Sequence, residues 1–150
     1  MNIIQYENYQ EKPTLRSAPF PYLTYPCSIP HDFTHVPTHW HDELELVYIK
    51  KGSGIVSVDF SALKVSAGDM VFICPGQLHS ICQMQQNFME YENIIFPLSL
   101  LSSRQTDSSW ETYIAPIDQR RRRLPSCLHP DMPSYPAIAC FNFLFAFLLP

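Results

Sequence analysis

The chain has 150 residues, enough for one buried core and rarely for two. A net charge of −4 excludes a segment that grips nucleic acid unaided, since that requires a basic surface. Charged residues make up only 16% and prolines number 14, a balance that suits short strands and turns better than long helices.

Residues 1–16 read as a polar N-terminal arm without strong periodicity. Met1 to Glu11 contains no apolar stretch of the kind a secretory leader needs, so a cytoplasmic location is expected. Residues 17–101 alternate strand-like runs with turn signals, and the runs begin near Pro21. Glu43 to Ile49 reads as a strand. Lys50-Lys51-Gly52-Ser53-Gly54 reads as a hairpin turn, with Ile55 to Phe60 as the returning strand. Leu63 to Val65, Met70 to Cys74, His79 to Met84 and Tyr91 to Phe96 follow, with turns at Ser66 to Asp69 and at Pro75-Gly76. Many short strands at this spacing predict an all-β barrel or sandwich.

Residues 102–135 form an irregular extension expected to pack on the barrel, and helical pieces are expected near Leu98 to Leu101, just before it, and near Asp107 to Tyr113. Arg120 to Arg123 reads as a solvated turn in preference to a phosphate-binding patch. Residues 136–150 form an apolar tail, expected as the start of a truncated helical region. Ala137 to Leu149 is apolar on every face, yet too short for a membrane span, so no membrane partner is expected. The cysteines Cys27, Cys74, Cys82, Cys127 and Cys140 are odd in number and form no CxxC, so they are expected as reduced thiols.

The candidate site is His39, His41, Glu45 and His79. On a strand, residues two apart share a face, so His39, His41 and Glu45 have one parity and can enter one cavity. Trp40 then belongs outside or at the lip, Val47 and Ile49 in the core, and Tyr48 outside. Three imidazoles and a carboxylate are ligands for a divalent ion, and Zn, Ni, Fe or Mn suit them about equally. Three readings stay open: a hydrogen-bonded polar cluster, a bound ion, or direct effector contact without metal. Each is a way to partner polar groups whose unpaired burial costs roughly 1–3 kcal/mol or more.

His39, His41, Glu45 and Gly52, with Gly68 and His79, fit the two motifs of the cupin superfamily, which this segment resembles. Phe33 stands where the first motif has Gly, and Pro75-Gly76 lies one residue out of phase with the second. A narrower resemblance runs from about Thr34 to Tyr135. His39 to Ile49, Gly52-Ser53-Gly54, Ala67 to Ile73, Pro75 to Ser80, Tyr91 to Leu98 and Tyr113 to Ile117 look like the effector-binding domain of AraC-type transcription regulators. That resemblance implies a cupin-type jelly-roll barrel with a short, mostly irregular or helical C-terminal extension, and an arm that closes over a small-molecule effector such as a sugar or related metabolite. It also implies a homodimer. DNA would be contacted only through a C-terminal helix-turn-helix domain expected to be absent from this chain. No enzymatic activity is expected. The alternative is a stand-alone metal-dependent cupin enzyme, a dioxygenase or isomerase.

Overall fold

The computed structural model describes residues 6–12, 22–102 and 108–140. Eight strands occur among them: β1 (Leu23–Ile29), β2 (His35–His39), β3 (Leu44–Val58), β4 (Ser61–Ser66), β5 (Met70–Ile73), β6 (His79–Gln83), β7 (Met89–Phe96) and β8 (Cys127–Leu128). All strand pairings are antiparallel. One sheet runs β1-β7-β3-β5-β8, and the other joins β2, β6, β3 and β4. Side chains from both sheets meet in one core that holds Ile29, Val47, Ile49, Val56, Val65, Ile73, Ile81 and Met89. The architecture is a cupin-type jelly-roll barrel, as expected.

β3 is the element that makes two sheets into one barrel. Its first half pairs with β5 and β7, and its second half with β4 and β6. The hairpin expected at Lys50 to Gly54 does not exist, because the strand runs straight through it for 15 residues. The glycines serve a crossing instead. The register against β7 slips between Ile49 and Lys51. Gly52 sits at φ +72, where a Cβ would stand 2.0 Å from the Phe88 carbonyl oxygen. Only glycine fits that approach. The actual reversal is Asp59-Phe60, with φ of 45 and 68, between the paired residues Val58 and Ser61. Two central residues with positive φ make the tight hairpin that matches strand twist. Asp59 is held there by accepting hydrogen bonds from the Leu78 amide (3.1 Å) and the Gln77 side chain (2.8 Å).

The other runs read from sequence are strands or turns close to the expected places, including the turn that ends at Gly68-Asp69 and the stop at Pro75. Leu98–Leu101 is a 3-10 turn. A π-helical turn (Trp110–Ile114) leads into α1 (Ala115–Asp118). These pieces cover Leu44, Cys74 and Leu98 at one end of the barrel. On the outer face of β3 and β5, Leu46 and Met70 pack with Leu128 and Ala139, joined by Tyr48, Met132, Tyr135 and Ile138. Tyr48 is therefore outside the barrel, as its parity predicts, and covered by the extension. Residues 135–140 are helical. Most of the apolar run from Ala137 lies outside the described residues. Among the described residues no helix is long and apolar enough to cross a membrane. All five cysteines are free.

Candidate functional site

The four candidate residues converge, but not along one strand. His39 closes β2, His41 lies in the turn that follows, Glu45 is the second residue of β3, and His79 opens β6. The expectation of a continuous strand from His39 to Glu45 is corrected here. The chain breaks at Trp40, which bridges to Gln10 of the arm instead of continuing the ladder. His39 and His79 are direct partners across β2 and β6, so their rings come to 4.1 Å. His41 stands 5.1 Å from the His79 ring. One ligand atom from each of the four residues lies within 4.8 Å of the others. His41, Glu45 and His79 are buried to 2% exposure or less.

The three imidazoles share a hydrogen-bonding device. Each Nδ1 faces a backbone carbonyl two residues away: His39 to Pro37 at 2.8 Å, His41 to Glu43 at 3.2 Å and His79 to Gln77 at 2.9 Å. A carbonyl only accepts, so each Nδ1 carries the proton. Every Nε2 is thereby left to the cavity side. His41 Nε2 is 3.0 Å from Glu45 Oε2, and His79 Nε2 is 3.1 Å from the same oxygen. Only the first of these is aligned as a hydrogen bond. His79 Nε2 is close but misaligned, and it is a buried polar atom without a hydrogen-bond partner.

Charge follows from this geometry. Burial opposes ionisation of Glu45, but the contacts and charge of His41 and His79 outweigh it and hold the carboxyl at about 2. Burial likewise opposes charge on His41, and its hydrogen bond and attraction to Glu45 prevail, raising its pKa. Burial lowers the pKa of His39, helped by repulsion from His79. The proton on His41 answers the Glu45 charge, and His79 Nε2 faces the same carboxylate oxygen at 3.1 Å.

These groups fit a divalent ion. An ion bound among them would replace the His41 proton, answer the Glu45 charge and give His79 Nε2 its missing partner. The Nδ1–H to carbonyl bonds are the outer-shell contacts that orient metal-bound histidines.

The site opens into a cavity of about 410 Å³ whose walls include Cys27, Phe33, Val36, Ile81, Tyr91, Asn93 and Ile95. Among the described residues Tyr91 Oη and Asn93 Oδ1 are buried and make no aligned hydrogen bond. The sequence reading did not single them out. Their signal was a strand parity, Tyr91-Asn93-Ile95, that places polar groups on the inward face of β7. Burial strongly raises the Tyr91 pKa, so the phenol stays protonated and able to donate. Glu11 and Lys12 of the arm also line the cavity, and Glu11 Oε2 is 3.3 Å from His39 Nε2.

Trp40 fastens the arm at this mouth. Its ring stacks on Tyr6 at 4.6 Å and its indole N–H donates to the Tyr6 carbonyl at 2.7 Å. Arg120 lies 5.4 Å from the Trp40 ring centre and pairs with Asp42 at 2.6 Å. Arg123 reaches Asp59 at 3.8 Å. The basic run is an exposed turn, as expected, and two of its members also reach carboxylates of the barrel.

A family model described as the AraC-like ligand binding domain matches residues 21–137. The HTH-type transcriptional regulator YdeC of Bacillus subtilis (strain 168), itself called uncharacterized, is 32% identical over 79 residues. The match covers 52% of this chain and 27% of the regulator, so the chain spans just over a quarter of that relative. Among solved structures, a Cupin 2 conserved barrel domain protein from Salinispora arenicola CNS-205 is 16% identical, with a TM-score of 0.46 over 57% of this chain and 71% of that one. A cupin protein from Bacteroides fragilis is 18% identical, with a TM-score of 0.43 over 65% of this chain and 92% of that one.

Proposed function

This chain belongs to the family of AraC-like ligand binding domains, and we propose that it is the small-molecule-sensing and dimerisation part of an AraC-type transcription regulator. DNA is contacted through a helix-turn-helix domain outside these residues, and the sensing part is cytoplasmic and not an enzyme. The observation that carries the sensing role is the buried polar lining of the cavity. Among the described residues His79 Nε2, Tyr91 Oη and Asn93 Oδ1 make no aligned hydrogen bond, and all three residues line one space of about 410 Å³. A guest rich in hydroxyls, such as a sugar or related metabolite, would partner them. His39, His41, Glu45 and His79 bind it directly or through a divalent ion, Zn, Ni, Fe or Mn. The ion would supply positive charge that orients an oxygen of the guest.

The arm is the reporter in this reading. Glu11 touches His39 while Tyr6 and Tyr9 hold Trp40, so a guest that competes for His39 also loosens the arm from the mouth. The effector then shifts a population through its different affinity for the two arm positions. Calorimetry of the full chain against sugars, polyols and small organic acids, with each of the four ions and with chelator, is the test. Saturable binding that His41→Ala removes supports sensing at this site. A complete absence of binding with every ion overturns it. The second reading, a dioxygenase or isomerase, is favoured only by the four-ligand set. Turnover of a bound small molecule after iron loading would replace sensing with catalysis.

A further inference from the structure

A second convergence of ligand atoms lies at the start of β5. Asp69 sits in the turn between β4 and β5, Cys127 on β8, and His129 just after it. Their ligand atoms all fall within 4.8 Å of one another. Asp69 is buried and its carboxylate is already oriented. Oδ2 accepts from the Ser66 amide at 2.8 Å and the Ser66 hydroxyl at 3.3 Å. Oδ1 is turned to His129 Nδ1 at 2.8 Å. Cys127 Sγ faces that same nitrogen at 3.9 Å. One ring nitrogen carries at most one proton, and the aligned carboxylate takes it. Three soft and hard donors thus face a common point.

We propose that Asp69, Cys127 and His129 bind a thiophilic divalent ion of the Zn(II) class, with a fourth position left to water. Thiolate, imidazole and carboxylate are its protein ligands, and three of them with one open position is a recurrent arrangement. Metal–ligand bonds of about 2.0–2.3 Å put neighbouring donors about 3.3–3.6 Å apart. The Asp69–His129 contact must therefore widen slightly and the Cys127–His129 contact must close slightly. His129, whose side chain is 44% exposed, can supply both by turning. The Ser66 contacts hold the carboxylate in place as outer-shell partners do. On binding, the Cys127 thiol proton passes to solvent, neutral His129 carries its proton on Nε2 and offers the Nδ1 lone pair, and no redox change occurs.

The position gives such an ion a purpose. β8 is only two residues long and holds to β5 through Met70↔Leu128 and Val71↔Cys127. Tyr135 donates to the Gly68 carbonyl at 2.6 Å beside it. The ion rivets the extension to the barrel just where the chain departs from it. The site is separate from the cavity, so it stands or falls independently of effector sensing. The test is a cobalt(II) titration of the untagged full chain, read by thiolate-to-cobalt charge-transfer absorption in the near ultraviolet. One equivalent is expected to give the band. Cys127→Ser should abolish it and His129→Ala should weaken binding at least tenfold. The band should persist in Cys27→Ser and in His41→Ala, which alter the cavity. No band, a band that survives Cys127→Ser, or unchanged affinity in His129→Ala overturns the proposal.

Discussion

Replacing Glu45 by Gln keeps the shape of the side chain and removes the one charge at the centre of the cavity. The carboxyl drops from its ordinary value of 4.5 to about 2 because of His41 and His79, despite full burial. At 1.36 kcal/mol per pH unit, that drop corresponds to about 3 kcal/mol in favour of the ionised, partnered state. The substituted amide escapes the burial cost of a charge, so the net loss of stability is expected at about 1–3 kcal/mol, measured with chelator present.

The pH dependence separates this cause from simple repacking. A carboxylate with a depressed pKa contributes stability that is present above 4.5 and lost as pH falls toward 2. His41 has a raised pKa, so its contribution is present below 6.5 and lost as pH rises through its folded value. The difference between wild type and Glu45→Gln should therefore peak between about pH 4.5 and 6.5 and shrink on both sides. His39, whose pKa is lowered, acts in both proteins and largely cancels. Urea denaturation at several pH values measures the difference, and imidazole NMR follows His41 directly. In the variant, burial is left as the main influence on His41 and its pKa should fall below 6.5. A stability difference that does not vary with pH, or an unmoved His41 titration, would refute the charge argument.

Four other substitutions follow from the structure. His41→Ala should weaken metal or effector binding at least about tenfold while leaving circular dichroism unchanged, and in wild type metal affinity should fall as pH drops through the raised His41 pKa. Equal affinity in the variant by calorimetry removes His41 from the site. Tyr91→Phe deletes a buried hydroxyl without a partner, so stability should hold or rise by up to about 1 kcal/mol while effector affinity falls about tenfold. Loss of stability with no loss of affinity would place that hydroxyl in the core and not in the binding set. Gly52→Ala drives a Cβ toward the Phe88 carbonyl at positive φ and should cost about 2 kcal/mol or more in denaturant melts. Gly54→Ala meets chiefly the flexible end of Met89 and should cost less.

The barrel was legible in the sequence because its strands are short, apolar and punctuated, and each property acts locally. What misled was punctuation whose meaning depends on partners. Gly52 and Gly54 mark an abrupt change of backbone whether a strand reverses or crosses between sheets, and only the pairing of β3 with four strands decides. Asp59-Phe60 reverses without glycine, on hydrogen bonds from residues 18 and 19 positions away. Arg120 looked like one of four equivalent charges until the fold brought it to Asp42, 78 residues away.

The site shows the same division. Parity brought His39, His41 and Glu45 together correctly, though by way of a continuous strand that the Trp40 bridge interrupts. The match of His39 with His79 across β2 and β6 is a register, which spacing within one strand does not encode. The decisive chemistry lies one step further out. The carbonyls of Pro37, Glu43 and Gln77 set a proton on each Nδ1 and so turn every Nε2 toward the cavity. With Glu45 ionised among them, the centre gathers negative charge and unshared electron density inside a low-dielectric wall. Such a centre requires positive charge, and the proton on His41 supplies part of it. A cation or a hydrogen-bond-donating guest is what the remaining lone pairs are arranged to receive.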